Sequence, residues 1–430
     1  MSIIMANSYL QQKNHPQRIT LHNEVHARPA EMMSAPLAIS HVVMVCDATQ
    51  LEASRIHLAT LLRDHHLPQP DAKSTHVSMD IGSFRIRWEL HTEFVSWTFL
   101  RPIIQVGVPE PAIYGVPQDW LTQLPGLCLT ALHLWALPQT KTASSTLIKS
   151  MLHENNLIGS LAARGQAEVY TDLNIHPDGY SHFLVLANEV PPRRLGRLIQ
   201  RLIEIETYRM AALLGLSIAQ EAITELDSYE FELAKLAQLI CNAHTNDEAI
   251  LLDRLTKLAG QIESHHAATH SRFSASTAYF ELVDHRIHEI AEQQIGALQT
   301  ISEFMTRRLR SARNNCEWIV RRQNALSERV SRISSLLRTR VEIDQQQNNQ
   351  ALLASMNQRQ SLQLKLQSAV ETLSVAAITY YAVGLIAYLT KGLQLLGWPW
   401  GAESTTALAL PLVLIVVWWS VRKLHRKIVS

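Results

Sequence analysis

Four side chains able to hold a metal or an anion sit within seven residues near the start of the chain. They are His22, Glu24, His26 and Arg28, in the run His-Asn-Glu-Val-His-Ala-Arg-Pro. In an extended segment alternate residues share a face, so all four would point the same way. Two imidazoles and a carboxylate suffice for some metal centres, and the guanidinium suits a carboxylate or phosphate. The spacing matches no established ligand signature, and hydrogen bonding of an entry segment accounts for the same residues. A second histidine group, His265, His266 and His270 with Asp284, His285 and His288, includes an i,i+4 pair and reads as a solvated helical face. Arg201, Glu204, Glu206, Tyr208 and Arg209 fall at helical spacings and read as surface ion pairs.

Signatures of catalysis are absent from the sequence: there is no GxxxxGK[ST], no GxGxxG after a strand, no GxSxG, no HExxH and no EF-hand loop. No cofactor is evident, and the chain is expected to be non-enzymatic. With 39 basic and 38 acidic residues the net charge is close to zero, so no nucleic-acid partner is expected. The charge is uneven, however. Ten arginines between Arg307 and Arg340 face only Glu317 and Glu328. They could bind an acidic partner or anionic lipid, or pair internally with acids at 221–232 and 281–303 in antiparallel helices.

Proline usage sets the elements that must position these groups. Fourteen of sixteen prolines lie in residues 1–192, and none between Arg193 and Trp398, where long helices are therefore expected. Residues 1–190 read as an α/β or α+β domain with a mixed sheet of about seven strands: Ile39–Val45, Ser83–His91, Val95–Leu100, Leu127–Trp135, Leu157–Leu161, Ala167–Leu173 and Phe183–Leu186. A helix is expected from about Thr49 to His65. In Ser83–His91 the apolar set Phe84, Ile86, Trp88 and Leu90 alternates with Arg85, Arg87, Glu89 and His91, which marks a half-buried strand. Residues 191–371 read as a helical, coiled-coil stalk dividing at Gly and Asn breaks. Ile319, Leu326, Val330, Ile333 and Leu337 form a heptad seam. Continued, it puts Arg340, Asp344 and Gln347 in a polar layer that could line the axis of a homo-oligomer.

Two apolar stretches close the chain, at 372–390 and 405–421. At about 1.5 Å per residue the first reaches about 28 Å, near the thickness of a bilayer's hydrocarbon core. The expectation is a transmembrane hairpin across 372–421 with a basic tail at 422–430. Positive-inside bias puts both termini in the cytoplasm of a bacterial inner membrane. Ser374, Thr379, Tyr381 and Tyr388 give the first span a hydroxyl stripe suited to helix contact or to a hydrated path. Four scattered cysteines suit a reducing compartment, and the N-terminus does not read as a cleavable signal peptide.

NEVHARP near the start, RLIEIETYRMAALLGL at the head of the helices and LSVAAITYYAVGLIAYLTKGL at the first span together resemble a bacterial family of predicted membrane-anchored proteins of uncharacterised function. The resemblance runs the full length and implies membrane anchoring but no chemistry. The layout is also similar to that of CorA-type divalent-cation channels. Those end the first span with Gly-Met-Asn, where this chain has Leu389-Thr390-Lys391-Gly392. The expected role is a membrane-anchored, homo-oligomeric, cytoplasm-facing scaffold or sensor assembled through the stalk and first span. The other reading is a CorA-like channel with a divalent cation as partner.

Overall fold

A computed structural model describes residues 15–19, 21–22, 31–104, 108–139, 144–242, 247–394 and 401–429. The chain divides into two units: Met1–Gln238 with Arg254–Arg332, and Leu239–Asp253 with Ile333–Ser430.

In the first unit, β1 (Leu37–Val45) leads into α1 (Ala48–Asp64), which Asp47 starts by a reciprocal capping box with Gln50. β2 (His76–Asp80), β3 (Arg85–Leu90) and β4 (Phe94–Pro102) form a meander. After the short helix α2 (Gln118–Leu121) come β5 (Leu127–Pro138), α3 (Ser144–Met151), β6 (Ile158–Ala162), β7 (Ala167–Ile175) and β8 (Ser181–Ala187). Then follow the long helices α4 (Pro192–Cys241) and α5 (Glu248–Ile290), the two-residue β9 (Gln293–Gln294), and α6 (Ile301–Gln394).

Among the described residues nine strands make one mixed sheet, ordered β2-β3-β4-β1-β5-β8-β7-β6-β9, with β5 and β8 parallel and the other pairs antiparallel. All seven expected strands are present. β2 and β9 are additions, both at edges, where a strand need not carry a strong apolar pattern. The side-chain period of two gives the sheet two covered faces. On one face Ile39, Leu132, Leu134, Phe183 and Val185 pack with Leu198 and Leu202 of α4, Val283 and Ile287 of α5, and Met305 of α6. On the other, Trp88, Trp97, Trp135 and Leu184 pack with Leu58, Leu61 and Leu62 of α1 and Met151 of α3. Each such large side chain contributes roughly 1.5–3 kcal/mol when buried.

The helices are longer than their punctuation implies. α5 runs unbroken from Glu248 to Ile290, and in α4 a Cβ at Gly215 would lie 2.5 Å from Ser276 Oγ of α5, so that glycine permits close helix contact. In α6, Ile319, Leu326 and Val330 are buried, as is Gln323, whose amide donates to Thr269 Oγ1 at 2.9 Å. Some of the arginine charge is met by acids of the neighbouring helices: Arg313 pairs with Asp284 at 2.7 Å, and Arg322 with Asp227 and Glu230 at 2.5 and 2.7 Å. Arg321 and Arg332 pair within α6, with Glu317 and Glu328.

The second unit holds the last part of α6, followed by α7 (Ala402–Val429). Both helices are long and apolar enough to cross a membrane. Leu373, Ile378, Leu385 and Leu389 on one, and Leu408, Leu412, Ile415 and Val416 on the other, are exposed. Arg422 lies over the Trp418 ring at 4.8 Å and Lys423 over Trp419 at 4.9 Å, a pairing of aromatic ring and basic tip suited to a membrane edge.

Candidate ligand site between sheet and helices

The polar side of β3 is largely covered beyond Arg85. Arg87 is 5 % exposed, and with Glu89, Ser96, Thr98 and His41 it faces α4 and α5. The registers set this row: Arg87 lies opposite Thr98, Glu89 opposite Ser96, and Thr98 opposite His41. Gln200, Glu204, Thr207 and Tyr208 on one face of α4, and Arg286 of α5, complete a cavity of about 240 Å³. The RLIEIETYRM run is therefore not a surface ion-pair patch. Glu204 and Tyr208 line this cavity, while Glu206 is buried and held by Arg209 at 2.6 and 2.9 Å. Helical spacing alone could not show that a sheet covers this face.

Within the cavity Arg87 donates to Glu89 at 2.7 Å. Burial disfavours a charged Glu89, but Arg87, together with His91 and His76, more than offsets it and holds the carboxyl below the usual carboxylate range. His41 is bridged on both ring nitrogens, to Thr98 Oγ1 at 2.8 Å and Thr207 Oγ1 at 3.2 Å. Burial pushes it down to about 3, so the ring is neutral at physiological pH. Arg286 binds Glu204 and, at 2.8 Å, Glu289. Arg87 Nε and Ser96 Oγ, both buried, have no hydrogen-bond partner among the described residues. A buried donor left unmet costs about 1–3 kcal/mol, which an acceptor oxygen of a ligand or water would relieve. The volume suits a small metabolite, since it falls below the range of drug-sized pockets, roughly 300–1,000 Å³.

On the opposite face of the same sheet lies a row of imidazoles. His133 on β5 meets Ser40 Oγ at 2.9 Å and stacks on Tyr180 at 3.8 Å. Burial lowers His133 to about 3, against the pull of Asp178. His182 on β8 binds Asp178 at 2.8 Å and the Met151 carbonyl at 3.1 Å. His176 stacks on His182 at 3.8 Å, and His153 on His176 at 4.7 Å. His176-Pro-Asp-Gly179 forms a turn, with Gly179 at φ 85. Nothing in the spacing of residues 133, 153, 176 and 182 shows that the sheet brings them together.

The groups singled out in the sequence lie elsewhere. His22 is exposed, and Glu24, His26 and Arg28 lie outside the described residues. Arg340 pairs with the buried Glu248 at 2.5 Å, Asp344 is half-buried and Gln347 exposed. Ser374 and Thr379 donate to carbonyls of their own helix, Val370 and Val375, at 2.8 and 2.7 Å, while Tyr381 and Tyr388 are exposed. Two of the stripe's hydroxyls are thus satisfied without a second helix or water.

No curated protein matches the chain. The model of one family spans residues 13–428, nearly all of it, and takes in the strands of the sheet, the long helices and both apolar helices alike. On that match the chain belongs to the family described as protein of unknown function, DUF3422.

Proposed function

We propose that this protein is a membrane-anchored, homo-oligomeric sensor. In this reading the sheet-containing unit faces the cytoplasm and binds a small molecule carrying an acceptor group such as a carboxylate. The observation that carries it is the cavity between sheet and helices in which the buried Arg87 Nε and Ser96 Oγ lack partners among the described residues. The two exposed apolar helices, with Trp418, Trp419, Arg422 and Lys423 at one end, support the anchor.

Thermal unfolding of the detergent-solubilised protein against a panel of small carboxylates and phosphates tests the cavity. At least one compound is expected to raise Tm, and the double variant Arg87→Met/Glu89→Gln to lose that rise while keeping the fold, because it retains the buried bulk and strands no carboxylate. A compound that stabilises wild type and this double variant equally would place binding elsewhere.

The second reading is a CorA-like channel. It is favoured by the unbroken run of α6 from the soluble unit into the first apolar stretch, with α7 following after a short connection. The intrahelical hydroxyl bonds and Lys391 weigh against a hydrated cation path along the first span. Flux of Mg²⁺, Co²⁺ or Ni²⁺ into proteoliposomes that depends on the protein would favour the channel over the sensor.

A further inference from the structure

We propose that His153, Asp172 and His176 form a binding site for a divalent first-row transition metal, of which Zn²⁺ is the type. One ligand atom from each lies within 4.8 Å of the other two. The set of two imidazoles and one carboxylate suits Zn²⁺, Co²⁺ or Fe²⁺ and is too nitrogen-rich for Mg²⁺ or Ca²⁺.

Two of the three ligands already stand at the separation a shared metal ion requires. In a tetrahedral site with bonds of about 2.0–2.1 Å, ligand atoms are about 3.3 Å apart. His176 Nε2 lies 2.9 and 3.2 Å from the two Asp172 oxygens. The carboxylate accepts, so Nε2 carries the ring proton here; metal would take that place, with a neutral His176 moving its proton to Nδ1. Asp172 is fully buried, and its position is fixed by the backbone N–H groups of His153 at 2.9 Å and Asn174 at 3.2 Å. It sits where the β7–β8 register shifts, which turns the carboxylate out of the ladder. Among the described residues its ion-pair partner is His176 alone, so no arginine or lysine competes for the carboxylate.

His176 is held from behind. Its ring stacks on His182 at 3.8 Å and 7°, and His182 is anchored by Asp178 and the Met151 carbonyl. His153, the third ligand, is exposed and stacks on His176 at 4.7 Å and 7°, so a side-chain rotation brings its nitrogen to the metal. A largely buried pair with one exposed ligand at the surface gives the ion a way in. It also leaves the fourth position to water or to a ligand from solution. The site lies on the sheet face away from the Arg87 cavity and does not depend on that cavity having a ligand.

The test uses the full chain in mild detergent, stripped with chelator and titrated with Co²⁺ and then Zn²⁺. One Co²⁺ per chain is expected to give visible d–d absorption that Zn²⁺ displaces. His153→Ala, at an exposed position, should weaken binding tenfold or more with an unchanged circular dichroism spectrum, and His153→Asp should restore part of it. The double variant His266→Ala/His270→Ala, which removes a histidine pair on α5 away from the site, should bind as wild type does. Failure of the wild type to take up metal overturns the proposal. So does wild-type affinity in His153→Ala, or loss of binding in the His266/His270 variant instead.

Discussion

Lowering the pH from 7 to 5 is expected to remove about 4 kcal/mol of stability through two histidines, His41 and His133, at about 2 kcal/mol each. Both are buried, at 3 and 1 % exposure, and burial puts both near 3 against an ordinary 6.5. The folded state keeps them neutral, whereas the unfolded chain takes up protons below about 6.5. Their contribution is therefore intact above 6.5 and is lost as pH falls from there toward 3. Glu89 and Asp178, both held below the usual carboxylate range, add a further loss only below about 4.5. The window from 6.5 to 5 thus belongs to the histidines. A steady fall in Tm over that window, shallower in His41→Gln, is the expected result. An unchanged Tm between pH 7 and 5 would mean that neither ring is buried neutral.

Gly196→Ala is expected to cost about 3 kcal/mol or more, at the upper end for overpacking a rigid site. Gly196 lies near the start of α4, and a Cβ there would sit 1.8 Å from the Glu31 carbonyl oxygen. That neighbour is backbone, fixed by the bond from Met33 N–H to the Pro192 carbonyl at 3.1 Å, so it cannot rotate aside. Gly260→Ala supplies the contrast. Gly260 is exposed inside α5, with nothing within 4 Å of its Cβ position, and alanine there should stabilise by about 1 kcal/mol. Chemical denaturation of both variants separates the cases, and equal effects would contradict the packing described for α4.

Much of the fold was legible because its signals are local. The Phe84–Leu90 alternation placed β3, the proline-free stretch placed the long helices, and two apolar runs of near-bilayer length placed α6's end and α7. The close approach of α5 at Gly215 was not legible, because a glycine inside a helix does not show in sequence which neighbour it admits. The Arg87 cavity and the imidazole row were not legible, since each is assembled across strands whose order the sequence does not contain. Arg85, Arg87, Glu89 and His91 look like one solvent-facing set, yet Arg85 is exposed and Arg87 buried under α4 and α5. The cue was available in Glu204 and Tyr208 lying on an otherwise apolar helix face, but it needs the sheet before it can be read.

The proposed anchoring, by a two-helix hairpin that keeps the sheet in the cytoplasm, is tested most directly by site-specific labelling. In intact spheroplasts of cells expressing a cysteine-free variant, a membrane-impermeant thiol reagent should label Glu403→Cys, between the apolar stretches. It should leave Asp64→Cys and Ser430→Cys unlabelled until the membrane is broken. Labelling of Asp64→Cys or Ser430→Cys in intact spheroplasts, or recovery of the chain in the soluble fraction, would contradict the account.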